Sequence, residues 1–291
     1  MKNTFSLSYT FKAARLFLRY PKALFRLANG AESLGSYINE IRQKRYANNP
    51  ISEKRVYGYL ILINPKDRGP ASPAIGVDGL YEPEETELLR KIVRKGAVVV
   101  DVGANIGWYT LLSAHLAGKT GKIVAFEPEP SNFSLLNESV KRNGFDNVFL
   151  FNNCVSNMEG TRKLWLNKGN LGGHSIVWRT SEEAVDVEAV TLDSCLSKLE
   201  IQIVDLLKID AEGAEPEVLE GALNYLLSSK IKNIVLEWNC KEWTNKEELL
   251  QKLLRKYTVY QIIHSPFLIK KQVEHPSTLT RQTNLYLKLI E

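Results

Sequence analysis

Three acids in this chain each close an apolar run: Asp101 after 97–100, Glu127 after 122–126 and Asp210 after 203–209. Gly103 and Gly107 follow the first of them, with Asn105 between. Glycine lets a backbone bend sharply and approach a ligand with no Cβ in the way. A dinucleotide site uses Gly-x-Gly-x-x-Gly to seat a pyrophosphate on a helix N-terminus. Here the spacing is Gly-x-x-x-Gly, and Asp101 stands where a phosphate would be repelled. A cofactor with a cationic centre and no phosphate fits these residues better, and S-adenosylmethionine is such a molecule. Glu127 can accept hydrogen bonds from both hydroxyls of a ribose, and Asn153, after the next apolar run, is a candidate for the adenine edge.

If such a cofactor passes on its methyl group, the transfer is an in-line displacement, and most of its catalysis is proximity and alignment of the acceptor. An alcohol acceptor must also lose a proton. Asp210 is the first candidate for that base, or for the group that orients the hydroxyl, and His174 is the second. In an alternative arrangement Asp210, Glu237 and Asn239 act as oxygen ligands for a divalent cation. Two other classes of function stay open at this point: an NAD-dependent oxidoreductase, disfavoured by the glycine spacing, and a non-catalytic binding protein that uses a basic arm on a partner or membrane.

These residues need a scaffold of strands delivering their carboxyl ends to one edge. Residues 97–100, running into Asp101, read as a strand buried on both faces, and Ile106, Tyr109, Leu112 and Leu116 recur with the period of a helix. Further strands are expected at 56–63, 122–126, 147–151, 161–166, 185–191, 203–209, 231–236, 258–263 and 283–290. Helices are expected near 84–95, 131–143, 215–226 and 247–256. Residues 65–73 are rich in proline, glycine and charge, which predicts a loop. The segment 168–181, with Gly169, Gly172, Gly173, His174 and Ser175, is a loop able to close over an acceptor.

The chain has 291 residues, 44% hydrophobic and 24% charged, enough for a full core, and its net charge of +5 is mild. The charge is uneven. Lys12, Arg15, Arg19, Lys22 and Arg26 fall on one helical face of an arm that has no acid before Glu32. Pro21 predicts a break in that helix. Such an arm makes either a peripheral membrane contact or a helix packed on the domain or a second subunit. Three cysteines with no C-x-x-C spacing give neither a zinc site nor a disulfide framework. That cysteine usage suits a reducing cytosol, so the expected location is cytoplasmic, with peripheral membrane contact through the arm; no apolar run reaches the length of a membrane span. Nothing points to a nucleic-acid partner, and the oligomeric state is open. The expected division is a basic amphipathic helical arm (1–50), a lead-in strand, loop and helix (51–96) and a cofactor domain (97–291).

Val-Asp-Val-Gly-Ala-Asn-Ile-Gly (100–107), Phe-Glu-Pro (126–128), Val-Thr-Leu-Asp (190–193), Leu-Lys-Ile-Asp-Ala-Glu-Gly-Ala-Glu (207–215) and Val-Leu-Glu-Gly (218–221) resemble the FkbM family of methyltransferases, over residues 81 to 239. The resemblance implies a Rossmann-like α/β fold. Its expected form is a mostly parallel seven-stranded sheet with helices on both faces, plus the helical N-terminal extension. It further implies S-adenosylmethionine-dependent O-methylation of a sugar, glycan or related natural-product hydroxyl.

Overall fold

Buried apolar strands fix the architecture. The computed structural model describes residues 31–244, 246–263 and 268–290, with side chains from 37 onward. The basic arm before residue 31 lies outside the described residues. In chain order the elements are α1 (Ala31–Asn48), β1 (Glu53–Val56), β2 (Tyr59–Leu62), α2 (Ala71–Asp78), α3 (Pro83–Ile92), β3 (Val98–Val102), α4 (Trp108–Ala117), β4 (Lys122–Phe126) and α5 (Pro130–Asn143). There follow β5 (Val148–Phe151), β6 (Cys154–Val155), β7 (Gly160–Trp165), β8 (Ala184–Val190), α6 (Leu192–Lys198), β9 (Leu206–Ile209), α7 (Glu215–Glu220), α8 (Leu223–Leu227), β10 (Asn233–Trp238), α9 (Glu247–Leu254), β11 (Tyr257–Ile263), β12 (Ile269–Val273) and β13 (Thr283–Leu289).

The main sheet has the order β12-β11-β13-β10-β9-β3-β4-β5. From β10 to β5 every pairing is parallel, and β13 enters antiparallel between β10 and β11. The chain moves outward from β3 through β4 to β5 and then returns to β9 on the other side of β3. Between β3 and β9 the strand order therefore reverses, and a crevice opens at the carboxyl ends there. One face packs Val100, Val124, Leu207 and Ile234 against α6 to α9; the other packs Val99, Ile123, Leu206 and Val235 against α3, α4 and the β1–β2 hairpin. Burial on both faces explains why these strands are continuous apolar runs. A smaller sheet, β6-β8-β7, stands beside the crevice.

The seven expected core strands are present, with β12 as an eighth at the edge. Its residues Ile269 to Gln272 are exposed, so its sequence carries no burial pattern to read. Residues 56–63 form two strands rather than one, because Tyr57 and Gly58 both take left-handed backbone (φ 51° and 99°) and reverse the chain. The expected loop at 65–73 gives way to α2 from Ala71, capped by Gly79 in left-handed conformation. The expected helix 215–226 is two helices. Gly221 packs so closely on Ser156 that a Cβ there would sit 2.2 Å from the Ser156 carbonyl oxygen, and Asp193 accepts the Asn224 and Tyr225 amides to start α8 anew. Among the described residues no helix is long and apolar enough to cross a membrane.

The turn after β3 is the tightest point of the fold. Asp210 donates its amide to the Val102 carbonyl at 3.0 Å, and a Cβ on Gly103 (φ 77°) would lie 1.7 Å from the Asp210 carbonyl oxygen. Gly103→Ala should therefore destabilise the protein by about 2–5 kcal/mol, combining left-handed strain with overpacking. Gly144→Ala, also left-handed but with nothing within 4 Å of the added Cβ, should cost about 1 kcal/mol. Urea denaturation of both variants measures the difference, and equal losses would contradict the close approach.

Candidate active site

A cleft of about 340 Å³ lies at the carboxyl edge over the β3–β9 reversal. Gly103, Asn105, Glu127, Asn153, His174, Asp210 and Glu237 all line it, so seven of the sequence candidates converge there. Two more stand behind its wall, correcting the expectation of direct contact. Asp101 is 2% exposed and accepts a hydrogen bond from the Thr110 hydroxyl at 2.5 Å, which ties β3 to α4. Burial raises its carboxyl to about 6. Gly107 faces the Leu136 side chain, 2.4 Å from where a Cβ would be, and serves the packing of α4 on α5. Asn239 is also absent from the lining; its side chain accepts the Lys241 amide in a turn. Among the described residues no group of three His, Cys, Asp or Glu side chains is arranged to hold a metal.

Glu127 is fixed from both sides. Its Oε2 accepts the Asn105 amide at 2.7 Å and its Oε1 the Glu129 amide at 2.9 Å. Each oxygen keeps a further lone pair for a ligand. Burial outweighs these two bonds and pushes the carboxyl up to about 8. Beneath the cleft, Lys208 is 4% exposed and its Nζ donates to Asp210 Oδ2 at 2.9 Å. Burial alone would lower the ammonium's pKa, but Asp210 and Glu82 reverse the sign and hold it charged. Its Nζ also lies over the Tyr109 ring, 5.0 Å from the centroid.

His174 has a defined role. Its Nδ1 accepts the Asn167 amide at 2.8 Å, so in the neutral ring the proton sits on Nε2. Burial lowers its pKa and favours that neutral form. In that tautomer the ring presents a hydrogen-bond donor at Nε2.

The loop carrying His174 is pinned across the cleft. Asn132 donates to the Leu171 carbonyl at 2.7 Å, Asp67 accepts the Leu171 amide at 3.2 Å, and Ser175 donates to the Glu212 carbonyl at 2.7 Å. Trp178 covers Gly213 so closely that a Cβ there would meet the indole Nε1 at 2.0 Å. The loop thereby covers part of the crevice and limits the access of water.

Glu82 and Glu212 also line the cleft, and neither stood among the sequence candidates for the site. Among the described residues six non-glycines have left-handed backbone, and three of these, Glu82 (φ 39°), Asn105 (φ 51°) and Glu212 (φ 48°), belong to this one cleft. Strain of this kind collects at functional sites. Burial first, then neighbouring acids, raise Glu82 and Glu212 to about 8 and Glu237 to about 7. Glu215, which accepts the Ala211 and Gly213 amides and so shapes the turn after β9, rises to about 8. The sequence carries no signal for Glu82: a residue before proline is driven to extended backbone, and its left-handed conformation is seen only in the fold.

The Methyltransferase FkbM domain model matches residues 101–260 of the chain. The hexuronic acid methyltransferase AglP of Haloferax volcanii is 26% identical over 147 residues, 50% of this chain and 59% of that protein. The 31-O-demethyl-FK506 methyltransferase FkbM of Streptomyces tacrolimicus is 28% identical over 159 residues, 44% of this chain and 60% of that one. The chain thus spans about three fifths of the length of these two relatives. A crystal structure of methyltransferase FkbM from Methylobacillus flagellatus superposes with a TM-score of 0.44 at 14% identity, over 89% of this chain and 60% of that one.

The raised carboxyls set a pH dependence. Each acid holds its proton more tightly folded than unfolded, so folding binds protons. This contribution to stability is complete below about pH 4.5 and is lost as pH rises through about 7–8, at up to about 1.4 kcal/mol per pH unit per group. The melting temperature of the ligand-free protein should therefore fall between about pH 5 and 8.5, and Glu212→Gln should flatten the slope. Scanning calorimetry across that range checks this, and a melting temperature that rises with pH would contradict it.

Proposed function

The chain belongs to the FkbM family of methyltransferases, and from that premise we propose that it moves a methyl group from S-adenosylmethionine to a hydroxyl of a sugar, glycan or related natural product. The observation that carries the proposal is the convergence of Gly103, Glu127 and Asp210, from three neighbouring parallel strands, on one carboxylate-rich cleft. The residues fit this cofactor. The cleft is of the size that takes such a ligand, its wall is acidic as a cationic centre requires, and the turn at Gly103 has the close approach but not the glycine spacing of a pyrophosphate cradle.

S-adenosylmethionine, when bound, supplies an electrophilic methyl group on a sulfonium centre. In this reading Glu127 receives the ribose hydroxyls on its remaining lone pairs, and the backbone of Gly103 and Asn105 frames the cofactor's other side. Asn153, whose side-chain amide donates to the Glu188 carbonyl at 3.3 Å, borders the adenine edge. Asp210, held in place by Lys208, accepts a hydrogen bond from the acceptor hydroxyl and aims its oxygen. His174 donates its Nε2–H to the acceptor, and the loop from 168 to 181 keeps water out. The acceptor is a small molecule or glycan with a free hydroxyl. The basic arm, if it lies against an anionic surface, would bring a membrane-bound acceptor to the cleft.

Glu127→Gln should weaken S-adenosylmethionine binding by about 1–3 kcal/mol while leaving the fold intact, since one of the two oxygens that receive the ribose hydroxyls becomes an amide donor. Asp210→Asn should retain the cofactor and lose about 10² in rate, because the acceptor oxygen is no longer aligned. Calorimetry measures the first. Mass spectrometry of sugars, glycans and polyketides incubated with methyl-labelled donor measures the second. Unchanged affinity in the first variant, or near-normal turnover in the second, removes that residue from the site.

A further inference from the structure

Two of the groups that face the reacting edge of the cleft are already committed. Asp210 is bound to the Lys208 ammonium at 2.9 Å, which fixes its orientation and occupies Oδ2. His174 offers a donor and not a lone pair, because Nδ1 is filled by the Asn167 amide. Glu82 lines the same cleft and is held by a different part of the chain. It precedes α3, and its left-handed backbone turns the side chain away from capping that helix. The carboxylate instead accepts the Tyr109 hydroxyl at Oε2, 2.6 Å away. The start of α3 is itself anchored: Thr86 donates its amide to the Glu82 carbonyl at 2.9 Å and its hydroxyl to the Tyr81 carbonyl at 2.7 Å, Trp108 donates to the Thr86 hydroxyl at 2.8 Å, and Asn284 donates to Glu85 at 2.6 Å. A strained glutamate with this much support has been positioned by its surroundings.

We propose that Glu82, set by Tyr109 near the Lys208–Asp210 pair, is the carboxylate that faces the cationic reacting centre and takes the proton of the acceptor hydroxyl. This rests on the methyl-transfer reading above. In the step, the acceptor O–H bond breaks and its electron pair stays on oxygen for the new bond to carbon, while the proton ends on the Glu82 carboxylate. The co-reactant is a sulfonium methyl donor, whose sulfur keeps the electron pair of the carbon–sulfur bond it loses. After product release the proton passes to solvent. Asp210 orients the hydroxyl, and Glu82 accepts from it.

The electrostatics agree with that geometry. The groups acting on Glu82 are Lys208 and Asp210 at the end of β9, Glu85 on α3, Tyr109 on α4, and the adjacent Tyr81. Burial is the largest influence and raises the carboxyl to about 8, so near neutral pH the ligand-free cleft holds it largely protonated. A cation arriving beside it lowers that value and drives the proton off, so the base is generated when the methyl donor binds.

The test is a proton count. S-adenosylmethionine and S-adenosylhomocysteine differ by the sulfonium charge, and calorimetric titration in two buffers of different ionisation enthalpy gives the protons released by each. At pH 7.5 the unmutated protein should release protons with S-adenosylmethionine that it does not release with S-adenosylhomocysteine. Glu82→Gln should lose most of that difference and bind S-adenosylmethionine about tenfold less tightly relative to S-adenosylhomocysteine. Tyr109→Phe, which keeps the carboxyl and removes its donor, should shift the release to higher pH. An undiminished proton difference in Glu82→Gln, or an unshifted profile in Tyr109→Phe, overturns the assignment to Glu82 while leaving the cofactor reading intact. Failure of the unmutated protein to bind either molecule overturns the cofactor reading and this proposal with it.

Discussion

An ammonium group buried in the central sheet has to be paired, and the edge of the cleft is arranged around that need. Lys208 lies on β9, buried beneath the cleft floor. Burying an unpaired charge costs several kcal/mol, and the surroundings answer it with Asp210 two residues on, Glu82 from the start of α3, Asp101 from β3, and the face of Tyr109 from α4. Four elements are thereby held in register at one point. The same arrangement confines acids in a space with little water, and this is why Glu82, Glu212 and Glu237 hold their protons so tightly. A cleft lined this way is poorly matched to an anion and well matched to a cation.

The backbone imposes a second constraint at the same place. β3 and β9 run side by side as far as Val102 and Ile209, and beyond that the chain must turn both ends away to open the crevice. Gly103 makes this possible because its missing Cβ leaves room for the Asp210 carbonyl. Glu127 and Glu215 then fasten the two turns through backbone amides. The turns are held in place as a result, so a ligand bound as proposed at Gly103, Asn105 and Asp210 would meet groups already in position, which reduces the ordering cost of binding.

Much of this could be read from the residues in order. The apolar runs that became β3, β4, β9 and β10 are unbroken because both faces of each strand are covered, and the strand-end acids Glu127, Asp210 and Glu237 follow directly from them. Asp101 and Gly107 belong to the same motif, yet they serve packing. The sequence pattern identifies the turn without saying which of its residues point inward. Glu82 and Glu212 were not legible as site residues, because what marks them is a left-handed backbone and burial among acids brought in from distant segments. His174 could be found as a candidate, but its tautomer depends on the Asn167 amide, a contact made only once the loop has folded. The division of 215–226 into two helices likewise depends on the carbonyl of Ser156, some 65 residues away in the chain.

The most direct measurement of the central claim is a crystal structure of the protein with S-adenosylhomocysteine. Density in the cleft, with the ribose hydroxyls on Glu127 and the sulfur on the side of Asp210 and Glu82, is the predicted result. A ligand bound outside the cleft, or one whose ribose lies away from Glu127, would contradict the assignment of this edge as a methyl-transfer site.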